Sequence, residues 1–350
     1  MSEFISQQHI ADALGISRTS VSRALAQHPA VNPETRARVL SMSAQLGYRV
    51  TATKRSRERS SAARGGQVGV LVAAAREPMG WVTETSQYML AGITERLRHE
   101  SIGLDLHYLD PRVPLASVEA FVDGVRPVDR GWRGAVLVYP LPENWVGHLA
   151  ARIPTVSIIE DYFEAGVDCV DTDQASGMFA LVRHLAELGH RRIGFLTWRY
   201  RSPTPWAQRR LGGFVEALMR LDLPFDPAYV INGRESGTVP IDSLGEVVAA
   251  KAAAGVTAWV CAADHQAYPL ITELRGRGLR VPEDVSVVGF DGVEPPPGFP
   301  RLTSIRIPYT DMGVAAVMRL LNRAQNPASP RRHVMLGGTP IWGDTTSAPP

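Results

Sequence analysis

"SGMFALVRHLAELGHRRIGFLTW" (residues 176–198) sets two periodicities back to back. Phe179, Val182, Leu185 and Leu188 recur at helical spacing. Gly189 then stops the pattern, since glycine tolerates the left-handed backbone in which many helices end. The following "RIGFLTW" is an unbroken apolar run, which is how a strand covered on both faces reads. The same grammar recurs in "QVGVLVAAA" (67–75), "GAVLVYP" (134–140), "PTVSII" (154–159), "AWVCAA" (258–263) and "DVSVVGFD" (284–291), each expected to be followed by a helix. Repeated β–α units imply an α/β body of doubly wound parallel sheets, with ligands at the carboxyl ends of the strands. The body from residue 67 runs to roughly 280 residues, too many for one such sheet, so two lobes with a cleft between them are expected.

At 350 residues, 45% apolar and 21% charged, the chain has a globular composition with enough apolar surface for a large core. Cys169 and Cys261 have no metal-ligand spacing and read as buried thiols of a reducing compartment. The N-terminus lacks the apolar core of a secretory signal, and no window reaches the length of a membrane span. A cytoplasmic protein is expected. There is no Gly-rich phosphate loop, no Cys/His metal cluster and no GxSxG elbow, so neither a cofactor, a metal nor an enzymatic activity is expected.

The net charge of +2 conceals an asymmetry. Residues 1–66 hold ten Lys/Arg against four acids, which leaves about −4 on the rest. A basic head on a mildly acidic body points to a polyanion as partner of the head alone. Within it, Ser6 caps a helix bearing Ile10, Ala11 and Leu14 on one stripe, Gly15 stops that helix, and Ile16 plugs the turn. Ser17 caps a second helix whose Val21 and Leu25 face inward, leaving Arg18, Thr19, Ser22 and Arg23 outward. Asn32-Pro33-Glu34 opens a third helix, with proline where its missing N–H costs nothing, and Gly47 ends it. Two helices joined by a tight glycine turn, the second polar, make a helix-turn-helix, whose second helix reads base edges in the major groove.

"IADALGISRTSVSRALAQHPAVNPETRARVLSMSAQLGYR" (10–49) resembles the DNA-binding domain of the lactose-repressor/galactose-repressor (LacI/GalR) family. The resemblance implies that Arg18 and Thr19 are the base-reading pair, and that Ser17, Ser22 and Arg23 are shared DNA contacts. It extends over nearly the whole chain through "VDTDQASGMFALVRHLAELGHRRIGFL" (170–196), "GLRVPEDVSVVGFDG" (278–292), "LTSIRIPYTDMG" (302–313) and the "TTSAPP" ending. It implies residues 1–48 as the DNA-binding domain, 49–66 as hinge, and 67–350 as an effector-binding and dimerisation body like periplasmic sugar-binding proteins. The lobes fall at about 67–170 with 304–332, and about 171–303 with 333–350, with chain crossings near 170, 303 and 332.

The hinge departs from the family. "RVTATKRSRERSSAARGG" carries Val50, Thr51, Lys54 and Arg57 where the family has Pro, Asn, Ala and the Leu that wedges into the minor groove. Lys54, Arg55 and Arg57 are left to bind by charge, in a narrow minor groove or on phosphates. In the body, the resemblance implies that Arg210 in "AQRRLGGF" and Asp291 in "GFDG" hold the effector, which suits charge-assisted bonds to hydroxyls or a carboxylate. Ala263-Asp264 stands where the family has Asn-Asp, and Ile159-Glu160 where it has an aspartate, so Asp264 and Glu160 join the candidate set in a rewritten pocket. Trp81 and Trp206, each just beyond a strand in a Pro/Gly-containing loop, are candidates to stack on a sugar ring.

The implied function is a sequence-specific transcriptional regulator of the repressor type, a homodimer on a palindromic operator. A small molecule, a carbohydrate by the resemblance, modulates its DNA affinity. A solute-binding protein or a sugar-sensing activator with the same body is the alternative.

Overall fold

The computed structural model describes residues 7–25, 31–32, 35–36, 38–39, 42–43, 66–73, 81–109 (side chains from 85), 116, 131–200, 204–233 and 238–350. The head begins with α1 (Gln7–Leu14) and α2 (Arg18–Leu25). Gly15, at φ +63°, ends α1, and Ile16 closes the turn by donating its N–H to Ala11 O at 3.1 Å. The Ser17 hydroxyl accepts the Ser20 N–H at 3.1 Å and so caps α2. Asn32 Oδ1 accepts the Thr35 N–H at 2.6 Å in the same way. Ile10, Ala11, Val21, Ala24 and Val39 form the core of the head, with Ile16 and Leu25 at its margin. Ala24, not Leu25, is the second fully buried position of α2, because a methyl lets the helices approach closely. Ser6, Gly47 and the hinge residues 49–65 lie outside the described residues.

The described chain divides into two compact units, Met1–Asp171 with Tyr309–Val334, and Thr172–Pro308 with Met335–Pro350. After the head come β1 (Gln67–Ala73), α3 (Trp81–His99), β2 (Gly103–Leu109), β3 (Trp132–Val138), α4 (Glu143–Ala150), β4 (Thr155–Ile158) and β5 (Asp168–Thr172). Next are α5 (Gln174–Glu187), β6 (Ile193–Leu196), α6 (Pro205–Arg220), β7 (Val230–Ile231), α7 (Leu244–Ala253) and β8 (Ala258–Cys261). The chain then continues through α8 (Asp264–Gly276), β9 (Ser286–Val288), β10 (Ser304–Arg306), α9 (Tyr309–Gln325), β11 (His333–Leu336) and β12 (Thr339–Ile341).

One sheet has the strand order β11-β5-β4-β3-β1-β2, parallel from β5 through β2. The other is the parallel set β7-β6-β8-β9, beside an antiparallel β10-β12 pair. The six apolar runs are all strands, but two lack the expected helix. After β4 the chain turns at Ile159 and passes through a short turn to β5. After β9 comes Pro295-Pro296-Pro297, which cannot sustain a helical hydrogen-bond ladder.

In α5 the buried stripe is Met178, Leu181, Val182 and Leu185, capped by Asp173, whose carboxylate accepts the Ser176 N–H. Phe179 is half-buried, its ring covered by the Arg220 and Arg183 guanidinium groups at 3.9 and 5.7 Å. In the first unit α3 and α9 cross backbone to backbone. A Cβ on Gly92 would strike Thr310 O, and one on Gly313 would strike Met89 O. The wholly buried Asp168 accepts from Arg319 Nε (2.7 Å), Arg323 Nη2 (2.7 Å) and the Arg332 N–H (2.6 Å). Burial raises its pKa, but the bonds from Arg323, Arg332 and Arg319 outweigh that and hold it below the usual carboxylate range.

Candidate functional site

Left-handed backbone at a non-glycine residue costs energy and collects at functional sites. Six such residues occur among those described. Ser101 and Asp222 close helices, whereas Tyr139, Ile159, Asn232 and Asp291 follow the carboxyl ends of β3, β4, β7 and β9. Those strand ends are where a doubly wound sheet binds ligands.

In the second unit the chain brings Arg210 and Asp291 together there. Arg210, on the first turns of α6, is 4% exposed. Its Nε donates to Gln174 Oε1 at 2.8 Å, its Nη1 to Ala262 O at 2.5 Å, and Nη1 lies 3.1 Å from Asp291 Oδ1. The guanidinium is stacked on Phe290 (4.1 Å) and Trp206 (4.8 Å). Its Nη2 makes no hydrogen bond among the described residues. Asp291 sits at φ +140°, its N–H given to Ile305 O at 3.0 Å and its carbonyl accepting the Ile307 N–H at 3.1 Å.

Asp264, which opens α8, is buried beside this pair. It accepts from Ser304 Oγ at 2.6 Å and from the Val293 N–H at 3.0 Å. Burial first, and then the neighbouring Asp291 charge, push its pKa up to about 7. An aromatic group adjoins Trp206. Tyr200 lies 5.9 Å away, its hydroxyl 2.5 Å from His265 Nε2 and accepting from Gln266 Nε2 at 2.9 Å. Burial, with the Arg210 charge added, pulls His265 down to about 3, so the ring is neutral at ordinary pH.

The remaining candidates lie elsewhere. Glu160 is in the first unit, buried after β4, its carbonyl accepting Ser157 Oγ at 2.5 Å. Two residues on, outside the candidate set, the Tyr162 hydroxyl donates to the Leu141 carbonyl at 2.9 Å. The side chains of Trp81, Lys54, Arg55 and Arg57 lie outside the described residues. In the head, Ser17, Arg18, Thr19, Ser22 and Arg23 are exposed, on the side of α2 away from Val21 and Ala24. Sequence reading missed Gln174, Phe290, Ser304 and Tyr200. Tyr200 could have been found as Trp206 was, by its place just beyond a strand.

The head and the two β–α units define a class: a DNA-binding helix-turn-helix domain joined to a periplasmic-binding-protein-like body. Residues 8–50 match the family of bacterial regulatory proteins, lacI family, and residues 182–346 match the periplasmic binding protein-like domain. The HTH-type transcriptional regulator MalR of Streptomyces coelicolor is 31% identical over 97% of this chain and 96% of its own length. The arabinose metabolism transcriptional repressor of Geobacillus stearothermophilus is 36% identical over 49% of this chain and 47% of its own. A crystal structure of the lac repressor dimer bound to operator and the anti-inducer ONPF shares the fold, with TM-score 0.65 and 22% identity over 99% of this chain and 100% of that one. The chain belongs to the LacI family of bacterial transcriptional regulators.

Proposed function

We propose that this regulator is a repressor that binds a palindromic operator as a homodimer, through Ser17, Arg18, Thr19, Ser22 and Arg23 of each head. Its affinity for DNA is set by a neutral carbohydrate held at Arg210 and Asp291, with Trp206 against the sugar ring. It acts in the cytoplasm and catalyses no reaction.

The observation that carries the reading is the buried Arg210–Asp291 pair, whose guanidinium lies against the Trp206 and Phe290 rings with Nη2 unspent. A planar cation beside a carboxylate offers donors and acceptors to adjacent hydroxyls, and an aromatic ring covers the apolar face of a pyranose. The names of similar proteins agree in kind. Relatives are repressors of arabinose metabolism and of a ribose operon, and solved family structures hold ribose, sucrose, glucose or cellobiose.

The test has two steps. Selection from random duplexes should return a palindrome bound by the full chain. Titration of that complex with L-arabinose, D-ribose, D-glucose, sucrose and cellobiose should then change DNA affinity for at least one sugar, about 5–150-fold. If no palindrome emerges and a sugar still binds, the protein is a solute-binding module and the repressor reading fails.

A further inference from the structure

We propose that Asp264 and Ser304 are positioning residues that hold the 289–293 turn, and with it Asp291, in the one conformation that brings its carboxylate to Arg210. The inference rests on the reading of Asp291 as an effector ligand and assigns Asp264 a task other than touching that effector.

Asp291 and Gly292 are consecutive residues in left-handed backbone, at φ +140° and +66°. Glycine adopts this freely, but aspartate does so only where its surroundings impose it. The backbone bonds of Asp291 to Ile305 and Ile307 tie one edge of the turn to β10. The other edge is held by side chains. Ser304 Oγ donates to Asp264 Oδ1 at 2.6 Å and accepts the Gly292 N–H at 3.2 Å. Asp264 Oδ2 accepts the Val293 N–H at 3.0 Å. The Asp264 N–H in turn donates to Phe290 O at 2.9 Å, so both ends of the turn are fastened to the first residue of α8.

The chemistry explains why a carboxylate stands there despite its cost beside Asp291. A hydroxyl and an amide N–H converge on it: ionised, its two oxygens accept from both, and protonated it still accepts the Val293 N–H while its O–H can turn to the Ser304 hydroxyl. An asparagine has one such oxygen, and its NH2, set against the Ser304 hydroxyl, leaves a buried N–H without an acceptor. Gly289 completes the fit, since a Cβ there would run into Asp264 Oδ1. With both oxygens spent and 1% of the residue exposed, Asp264 acts through Asp291.

Hydrogen exchange of the full-length protein tests this without any sugar. In Asp264→Asn and in the milder Ser304→Ala, the amides of residues 291–293 should exchange at least tenfold faster, while peptides from α5 and β8 stay unchanged. Unchanged exchange at 291–293 in both variants overturns the proposal, as does equal loss across α5 and β8, which would mean general loosening. The sugar panel separates the two readings. A sugar that raises the melting temperature of the wild type should bind Ser304→Ala about tenfold more weakly, with DNA affinity retained. If no sugar in the panel binds the wild type, the carbohydrate reading fails and the exchange measurement still decides the positioning pair.

Discussion

The two candidate sites use side chains in opposite ways. On α2 the candidate DNA contacts are exposed, and only Ser17, which caps the helix, also has a structural task. Around Arg210 the groups are tied to one another, and all but the half-buried Trp206 are buried: Gln174, Ala262, Asp291, Phe290 and Trp206 all bear on one guanidinium. A surface that docks on a stiff external partner can leave its side chains free until the partner orders them. A site that must sense a small solute needs its donors arranged in advance, and burial is how the chain fixes them. Substitutions on α2 should therefore change DNA binding without changing stability, whereas substitutions around Arg210 should change both stability and ligand response.

The largest effect is expected at Arg210. Arg210→Ala strips the partner from a buried carboxylate, a change that typically costs about 3–5 kcal/mol. Denaturant unfolding followed by tryptophan fluorescence should show that loss, and operator complexes of the variant should no longer respond to any sugar. A fully stable Arg210→Ala would place this site in the same category as the head.

Arg18→Ala is the converse case. It should cost about 1–3 kcal/mol on the operator and little on random duplex, since a base-reading contact is lost but not a phosphate contact. The melting temperature should not move. Equal loss on both DNAs would mark Arg18 as a backbone contact.

A third measurement uses the opposed titrations beside Arg210. Asp264, raised to about 7 from an ordinary value near 4, keeps a proton in the folded state that the unfolded chain has released. Its contribution to stability is complete below about pH 4 and is lost as pH rises through 7. His265, lowered to about 3, has the opposite sign: its contribution is complete above about pH 6.5 and is lost as pH falls toward 3. In the wild type the two slopes offset each other between pH 4 and 6.5. His265→Gln should leave stability falling with pH over that window, and Asp264→Asn should leave it rising. Melting curves from pH 4 to 8 read both, and parallel profiles in the two variants would contradict the assignment.

The smallest effect is expected at Ser17. Ser17→Ala removes the cap of α2 and should cost the head about 1 kcal/mol, seen as faster amide exchange at residues 18–20.

These contrasts also explain what the sequence disclosed. The head was legible because its rules are local. Gly15, Ser17 and Asn32 act on residues within four positions of themselves, and the candidate DNA contacts are what remains once the apolar stripe is assigned. Six strands, nearly all of whose residues are buried, announced themselves as apolar runs. β2, "GLDLHYL", did not, because it lies at the sheet edge, half-buried along its length, and alternates. Arg210 and Asp291 came from the family pattern, which residue chemistry supports but does not single out. Gln174, Ala262 and Ser304 carry no local sign, since they reach Arg210 and Asp264 only through strands and helix starts 36 to 52 residues apart in the chain. Ile159 shows the limit from the other side: nothing in "PTVSII" foretells a β-branched residue in left-handed backbone.

The crossing of α3 and α9 has a mechanical consequence. With Gly92 against Thr310 and Gly313 against Met89, the helices meet through their main chains, leaving no layer of side chains to shear. Sliding either helix by one residue would bring Ala91, Ile93, Met312 or Val314 into a gap that admits no methyl. The joint works as a keyed shaft, rigid in register, and it passes on displacement where a layer of side chains would absorb it. A displacement of α9 therefore carries α3 with it, because neither helix can slip without a side chain meeting the other's backbone.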